Sequence, residues 1–301
     1  IITKCNLNIP IVISIQGFLS SIYLKLFAGI PRLAALKNEN FFTKISCNGA
    51  KYNEQSLKKR AQREIEILKN TKYLVGRTEF DKNCALIANP NREYFKVGEI
   101  MRDEFFMSGW NKSSFSETFT ITTTISNGLY KGLDVIYDTA NLLKGSNFNF
   151  VWNIVGANET SDLVLLTEKY TKLHSKDINI RLLGRKNAKS IAEILKESDL
   201  YCQTSHIENS PNSTAEAMAI GMPIIASFVG GTSSMIENNK TGILVQDGDP
   251  YVLAGAILNM ANNFDKAKEL GGKARLYAIG NFTSQQVKNE ILNTYNCILN
   301  K

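Results

Sequence analysis

Two carboxylates stand eight positions apart in a segment built mostly from small residues. Glu208 lies in the loop sequence HIENSP, and Glu216 lies in the helical pattern STAEAMAIG that follows. An ionised carboxylate accepts two hydroxyl hydrogen bonds well, and a vicinal diol supplies two donors at matching spacing. The pair therefore fits a polyhydroxylated ligand. The structural alternative is that Glu208 caps a helix and Glu216 is a solvated helix position.

The start of the same helix predicts an anion site. Pro211 is compatible with a first helical turn. The backbone amides of Asn212, Ser213 and Thr214 then have no partner within the helix. Together with the helix dipole, these amides suit a diphosphate.

Six β-rich runs alternate with helical patterns from about residue 118 onward. The runs are TFTITTTIS, FNFVWNIVG, INIRLLG, DLYCQTS, MPIIAS and TGILVQ, and the fifth is followed by a helical pattern over residues 231–239. Strands that are apolar on both faces predict a parallel α/β sheet covered by helices on both sides, a Rossmann-like domain. Ligands of such sheets bind beyond the carboxyl ends of the strands, where strand order reverses. This rule places four loops around one mouth: residues 128–131, 184–186, 205–213 and 230–232.

The first 115 residues are less regular. They contain a strand candidate at residues 11–15, a helix at 55–70, the strand sequence KYLVGRT and a helix that ends at Pro90. This is too little for a second complete domain, and the chain opens on Ile1, so we expect a truncated first domain. The predicted organisation is a partial N-terminal domain over residues 1–115, a C-terminal domain over 116–282, and a helix over 283–301 that packs back toward the first domain.

The segment around the two carboxylates resembles the nucleotide-sugar-binding domain of retaining GT-B glycosyltransferases of the group 1, or family 4, type. These enzymes carry a Glu-x7-Glu signature, which here is followed by EAMAIGMPIIAS, then GG, then TGILVQDGD. The resemblance covers roughly residues 118–262. A looser resemblance to bacterial polysaccharide-assembly enzymes covers residues 64–95. The resemblance implies a GT-B fold, with two Rossmann-like domains facing a cleft and the first one incomplete in this chain.

The resemblance also implies roles for individual residues. Glu216 is expected on the ribose, and Glu208 on donor-sugar hydroxyls near the reacting carbon. Lys131 stands where the family has a Lys-Gly pair that grips the donor diphosphate, and a fixed ammonium there stabilises the growing leaving-group charge. A surface lysine at a helix start is the alternative. Further donor-binding candidates are Gly128, Gly132, Gly184, Arg185, His206, Asn209, Asn212, Ser213 and Thr214.

The chain departs from the family pattern at one cationic position. Most members place an Arg five or six residues before the Lys, where this chain has Ile125 and Ser126. Arg185 and Lys186 are candidates to supply the missing charge, with plain surface placement as the alternative.

A second departure concerns a histidine that family members often carry in the first domain, where this chain has Gln16. Its two histidines are His174, which we expect at a solvated helix end, and His206, which lines the sugar pocket or lies in an exposed loop. Neither is needed as a base, because in a front-face mechanism the leaving phosphate oxygen takes the acceptor proton. Arg77 either faces the cleft or belongs to a helix start capped by Thr78 or Asp81. The cleft candidates are Gln16, Gly17, Arg77, Gly230 and Gly231.

The charge balance favours anionic partners. Lys and Arg number 35 against 28 Asp and Glu, which gives +7 and a pI near 9.0. No basic tract with interleaved aromatic residues is present, so a nucleic-acid surface is not expected. The basic helix SLKKRAQREIEILKN predicts peripheral contact with the inner face of a membrane, and the alternative is that the charge only aids solubility.

The cysteine spacing and the apolar stretches indicate the cellular compartment of the protein. The five cysteines are dispersed and form no CxxC pair, which argues against a disulfide framework or a zinc site and favours the cytoplasm. The first apolar stretch is interrupted by Gln16, Gly17 and Lys25, so no transmembrane helix or signal peptide is predicted. No Asp-rich metal motif is present, and we expect neither a metal nor another cofactor.

These observations together predict a metal-independent, retaining glycosyltransferase. Its substrates would be a nucleotide-diphosphate sugar and a glycan or lipid-linked hydroxyl acceptor, in bacterial cell-surface polysaccharide or glycolipid assembly. Two alternatives stay open. One is a non-catalytic glycosyltransferase-like scaffold subunit, favoured by the missing Arg and His, and the other is a nucleotide-sugar epimerase of the same fold.

Overall fold

The computed structural model describes residues 9–39, 43, 49–107 and 109–300 of the chain. Its first sheet has three parallel strands in the order β1-β2-β3. These are β1 Val12–Ser14, β2 Tyr73–Gly76 and β3 Glu93–Lys96. All three belong to the part of the chain that was predicted as a partial first domain.

The second sheet has six strands, all parallel, in the order β6-β5-β4-β7-β8-β9. They are β4 Phe119–Thr124, β5 Phe150–Val155, β6 Ile180–Gly184, β7 Leu200–Gln203, β8 Ile224–Ser227 and β9 Ile243–Val245. The order reverses between β4 and β7. The six strands predicted from the sequence are therefore confirmed, and the ligand crevice of such a sheet lies beside the ends of these two central strands.

Helices cover the sheets and connect the strands. In chain order they are α1 Leu19–Leu24, α2 Arg32–Asn38, α3 Ala50–Lys69, α4 Glu79–Ala88, α5 Leu133–Gly145, α6 Asp162–Thr171, α7 Ala188–Glu197, α8 Asn212–Ile220, α9 Pro250–Ala261, α10 Phe264–Phe282 and α11 Ser284–Leu299. Several begin at side-chain caps that the sequence supplies. Thr78 caps α4 and Asn187 caps α7, while Asp249 accepts from two amides of α9.

The large sheet separates two apolar cores because neighbouring residues of a strand point to opposite faces. Cys202 and Ile225 belong to one core, and Tyr201, Ile224 and Ala226 belong to the other. All five are fully buried. A strand buried on both faces accepts few polar residues, which is why these strands read as continuous apolar runs in the sequence.

One helical prediction is wrong, and one helix was not predicted. Residues 231–239 form only a short 3-10 turn, Thr232–Ser234, because the chain then turns at Asn239 with φ +62° and enters a bridge between Asn238 and Gly242. Helix α10 was not predicted, since its glycines obscure the pattern. A Cβ on Gly271 would lie 2.2 Å from the carbonyl oxygen of Gly221, so glycine lets α10 approach the end of α8.

Helix α11 contacts the first part of the chain. Its Glu290 accepts a hydrogen bond from the Gly98 amide at 2.8 Å, and Val287 is buried beside it. The last helix thereby holds the segment after β3 to the C-terminal end of the molecule. Within the described ranges, none of the helices combines the length and hydropathy that a membrane crossing requires.

Candidate active site

Lys131 and Glu208 meet where the strand order of the large sheet reverses. Lys131 ends a 3-10 turn after β4, and Glu208 belongs to residues 204–210 after β7, which we call the carboxylate loop. The Lys131 Nζ lies 2.5 Å from Glu208 Oε1, and the Ser205 hydroxyl donates to the same oxygen at 2.8 Å. The two side chains are only 18% and 12% exposed. A shielded cation and a carboxylate thus occupy the crevice.

The backbone beside Lys131 is pressed against the carboxylate loop. Gly132 has φ +72°, and a Cβ on it would lie 1.9 Å from the carbonyl oxygen of Thr204. The amide of His206 donates to the Tyr130 carbonyl at 2.8 Å. Because only glycine fits this conformation at this distance, Gly132 fixes the separation of the two loops that carry the cation and the carboxylate.

Glu216 is buried in α8, with 6% of the residue exposed. Its Oε1 lies 2.5 Å from Nη2 of Arg102, a partner that the sequence did not reveal. Burial raises the pKa of Glu216, and the Arg102 guanidinium opposes that rise. The structural alternative for the pair is therefore wrong on both counts: Glu216 is not solvated, and Pro211 is the N-cap residue of α8, with no side-chain cap from Glu208.

The first turn of α8 differs from the expectation in one detail. The Thr214 amide donates to the Pro211 carbonyl at 3.0 Å, so it is not free for a ligand. Asn212 and Ser213 precede this hydrogen bond, and both reach the surface. The Thr214 side chain is buried, and its hydroxyl has no hydrogen-bond partner among the described residues. An anion at this turn would find amides and a buried hydroxyl rather than three amides.

His206 lies in a buried cluster with two carboxylates. Its Nδ1 is 2.7 Å from Asp247 Oδ1, and its Nε2 is 3.4 Å from Asp134 Oδ1. Burial alone lowers the pKa of His206, but the hydrogen bonds and charges of Asp134 and Asp247 outweigh it and raise the pKa to about 9. The residue is 4% exposed, so the alternative of an exposed loop histidine is wrong. His206 joins the start of α5, the carboxylate loop and the loop after β9.

Asn209 was predicted as a donor-binding residue, but its side chain faces the first sheet. Its Oδ1 accepts from the Thr78 hydroxyl at 2.6 Å, and its Nδ2 donates to Asp81 Oδ2 at 2.9 Å. Asn209 is 7% exposed. The predicted donor-binding role of the Asn209 side chain is therefore corrected. The side chain is buried, and both its amide oxygen and its amide nitrogen already have hydrogen-bond partners within the protein.

Gly230 and Gly231 also pack against other parts of the protein. A Cβ on Gly230 would lie 1.9 Å from the carbonyl oxygen of Glu208, and one on Gly231 would lie 2.0 Å from that of Asn209. The Gly231 amide donates to the Glu208 carbonyl at 3.0 Å. We expected the backbone of these glycines to approach a ligand closely. In the structure it closely approaches the carboxylate loop.

Gly184 and Arg185 lie at the end of β6, the edge strand of the large sheet. Gly184 has φ +65°, which its missing side chain permits. Arg185 and Lys186 are exposed. Two strand spacings, about 10 Å, separate β6 from β4. The structure therefore places both exposed cations after the edge strand, at the outer side of the crevice, and no hydrogen bond or ion pair among the described residues joins either of them to Lys131 or Glu208.

The remaining candidates of the first part form a separate group. The Arg77 guanidinium contacts the Gln16 amide oxygen and the Glu99 carboxylate. These three residues line a cavity of about 370 Å³ that α11 closes with residues such as Val287. Gly17 follows Gln16 and adds no polar side chain. The structure thus assigns Gln16 to a cavity next to α11 and not to the cleft, and of the two alternatives for Arg77 it shows the helix start capped by Thr78.

A larger cavity, about 720 Å³, lies between the first part of the chain and the large sheet. Leu19, Ile22 and Arg60 contribute from α1 and α3, and Gly128 and Tyr130 contribute from the loop that leads to Lys131. Gly128 is therefore the donor-site candidate that also borders this space. Tyr130, which precedes Lys131 in the chain, lines this cavity, whereas Lys131 and Glu208 do not, and the walls are apolar as well as polar.

Comparison with known proteins identifies sequence relatives. The profile of the family described as glycosyl transferases group 1 matches residues 111–277. The amylovoran biosynthesis glycosyltransferase AmsK of Erwinia amylovora is 29% identical over 139 residues, which are 44% of this chain and 33% of AmsK. A poly(ribitol-phosphate) alpha-N-acetylglucosaminyltransferase of Staphylococcus aureus is 25% identical over 234 residues, 76% of this chain and 46% of that enzyme. The chain thus spans less than half of either relative.

Solved structures show the same architecture. TarM of Staphylococcus aureus superposes with a TM-score of 0.70 at 20% identity, over 98% of this chain and 52% of TarM. Anabaena HepE, crystallised with UDP and glucose, superposes with a TM-score of 0.67 at 17% identity, over 95% of this chain and 71% of HepE. At this level of identity the similarity shows the fold.

Proposed function

Because the chain belongs to the group 1 glycosyl transferases, we propose that it carries the donor-binding and catalytic part of a retaining glycosyltransferase. The family and the GT-B fold predicted from the sequence are confirmed by the profile match and the structural neighbours. The proposed reaction moves a sugar from a nucleoside diphosphate to a hydroxyl acceptor.

The observation that carries this proposal is the Lys131 and Glu208 pair, 2.5 Å apart at the reversal of strand order. In the proposed reaction the Lys131 ammonium stabilises the diphosphate as its charge grows during cleavage of the glycosidic bond. Glu208 accepts hydrogen bonds from donor-sugar hydroxyls near the reacting carbon. Because the two side chains are paired with each other, the donor must displace this ion pair, with its diphosphate taking over Lys131 and its sugar hydroxyls taking over Glu208.

The nucleotide is proposed to lie against α8. The buried Thr214 hydroxyl, which has no hydrogen-bond partner among the described residues, and the first amides of the helix face the diphosphate. Glu216 accepts from the ribose diol with its remaining lone pairs, and Arg102 stays on one carboxylate oxygen or moves away as the nucleotide enters. HepE was crystallised with UDP, which supports a uridine nucleotide as the first donor to test.

The acceptor is proposed to enter the 720 Å³ cavity from the first part of the chain. Relatives named for amylovoran and capsular polysaccharide biosynthesis support a glycan or lipid-linked acceptor in cell-surface polysaccharide or glycolipid assembly. We further propose retention of configuration without a divalent metal, by a front-face path in which the leaving phosphate oxygen takes the acceptor proton. The proposed location is the cytoplasm, at the inner face of the membrane.

The test is release of UDP or GDP from a panel of nucleotide sugars, with and without EDTA. Many enzymes of this kind slowly hydrolyse the donor without an acceptor, so the wild type should release nucleotide. Lys131→Ala should reduce release roughly tenfold or more, since it removes a charge that acts mainly in the transition state. Lys186→Ala, at the outer side of the crevice, is the matched control. No release from any donor would refute the proposal.

A non-catalytic scaffold role is the second candidate, and one observation favours it. The charged groups of the site are paired within the protein, Lys131 with Glu208 and Arg102 with Glu216. In this role nucleotides bind without turnover, so binding with no nucleotide release would support it. An epimerase would instead convert the donor sugar while the nucleotide stays attached.

A further inference from the structure

A buried polar network joins the first sheet to the carboxylate loop. Asp81 is fully buried and accepts hydrogen bonds from the Arg77 amide at 2.9 Å, from the Tyr94 hydroxyl at 2.6 Å and from Asn209 Nδ2 at 2.9 Å. The Thr78 hydroxyl donates to Asn209 Oδ1 at 2.6 Å and accepts from the Asp81 amide at 3.1 Å. Every distance lies within the normal range for a hydrogen bond, and the three residues that form the centre of the network, Thr78, Asp81 and Asn209, are at least nine-tenths buried.

The chemistry of the partners fixes the orientation of the Asn209 amide. A carboxylate only accepts, so the Asn209 amide nitrogen must face Asp81. The Thr78 hydroxyl already accepts from a backbone amide, and its proton is therefore free to go to the Asn209 oxygen. The amide cannot rotate without losing both hydrogen bonds in a buried setting, where each unsatisfied group costs more than on the surface.

The network ends at the residue next to Glu208. Asn209 follows Glu208 directly, and the Glu208 carbonyl accepts from Gly231, whose own α-carbon is packed against Thr78 and Asn209. The side chain of Glu208 is held from the other side by Lys131, in the turn after β4, and by Ser205, in the carboxylate loop itself. The carboxylate loop is thus tied to the first part of the chain through the Asn209 side chain and to the loop after β8 through Gly231, while the Glu208 carboxylate is held by Lys131 and Ser205.

We propose that Thr78, Asp81 and Asn209 are positioning residues, which set the distance between Glu208 and the acceptor side of the cleft. The inference rests on the proposed function. In the proposed reaction the donor is held by the domain of the second sheet, and the acceptor enters from the first part of the chain. The reacting groups meet only if these two parts keep their spacing. A misplacement of about 1 Å can reduce the rate roughly a hundredfold.

The experiment compares Asn209→Ala and Thr78→Val with two controls. Thr78→Ser keeps the hydroxyl that caps α4 and contacts Asn209. Ser234→Ala removes another contact with the same turn, the hydrogen bond from the Glu79 amide at 3.1 Å, without touching the network. Each variant is measured for UDP affinity by calorimetry, for nucleotide release from the donor, and for thermal unfolding.

We expect Asn209→Ala and Thr78→Val to lower turnover about ten- to a hundredfold while UDP affinity changes less than about twofold, because α8 and Glu216 are untouched. Thr78→Ser and Ser234→Ala should keep turnover within about twofold. If Asn209→Ala unfolds, the Val and Ser variants of Thr78 still decide the outcome. Equal losses in all variants, or unfolding temperatures that fall while turnover stays, would overturn the inference. An inactive wild type refutes the proposed function and the inference with it.

Discussion

His206→Gln should flatten the dependence of stability on pH. In the folded protein the pKa of His206 is about 9, against an ordinary value of 6.5, because Asp134 and Asp247 together outweigh the opposite effect of burial. A raised pKa means that the folded state holds the proton more tightly than the unfolded chain. The stabilisation is therefore complete below pH 6.5 and is lost as the pH rises through 9.

The size of the effect follows from the two pKa values. A change from 6.5 to about 9 corresponds to about 3 kcal/mol of folding free energy, since each pKa unit is worth about 1.4 kcal/mol. For a domain of 150–250 residues this is a shift in Tm of roughly 6–12 °C. His206 is 4% exposed, so solvent screening reduces the figure little.

Thermal unfolding of the wild type and of His206→Gln between pH 6 and 9.5 tests this reasoning. Burial also raises the pKa of the Cys84 and Cys202 thiols, which adds a loss of stability in alkali, so the difference between the two curves is the informative quantity. His174→Gln is the matched control, because that side chain is 62% exposed and its loss should change stability by less than about 0.5 kcal/mol. Parallel curves for wild type and His206→Gln would refute the assignment.

Four further outcomes are expected. Glu216→Gln should weaken UDP or GDP binding about ten- to a hundredfold, whereas Glu208→Gln should keep binding and lose turnover; equal losses of affinity in calorimetry would contradict this division. Nucleotide affinity should be unchanged by EDTA, and strict Mg²⁺ dependence would disprove the metal-free proposal. Gly132→Ala should impair turnover and lower Tm, because its Cβ would lie 1.9 Å from a carbonyl oxygen, and wild-type behaviour would count against that role of the glycine. Binding to anionic liposomes should fall with added salt, and no binding at low salt would leave the positive charge a solubilising role only.

The sequence by itself determined the large sheet. Continuous apolar runs and alternating helical patterns are local signals, and they predicted all six strands because a strand buried on both faces has little freedom in composition. The spacing of Glu208 and Glu216 predicted a polyhydroxylated ligand for a different reason. A carboxylate in a helix of small residues needs hydrogen-bond partners. A local signal failed at residues 231–239, where a turn through Asn239 ended the helical pattern early.

Only the tertiary structure decided which polar residues meet. Arg102 and Glu216 are 114 positions apart in the chain, and Asp81 and Asn209 are 128 apart. The chain offers many carboxylates and cations, and the choice among them depends on which loops the packed sheets bring together rather than on any local pattern. Burial makes these contacts necessary for stability, because a charged or amide group that loses its hydrating water costs free energy unless it finds a partner inside the protein. The side chain of Asn209 therefore faces the first sheet, and the pKa of His206 is raised, because of partners that are distant in the sequence and meet only in the folded protein.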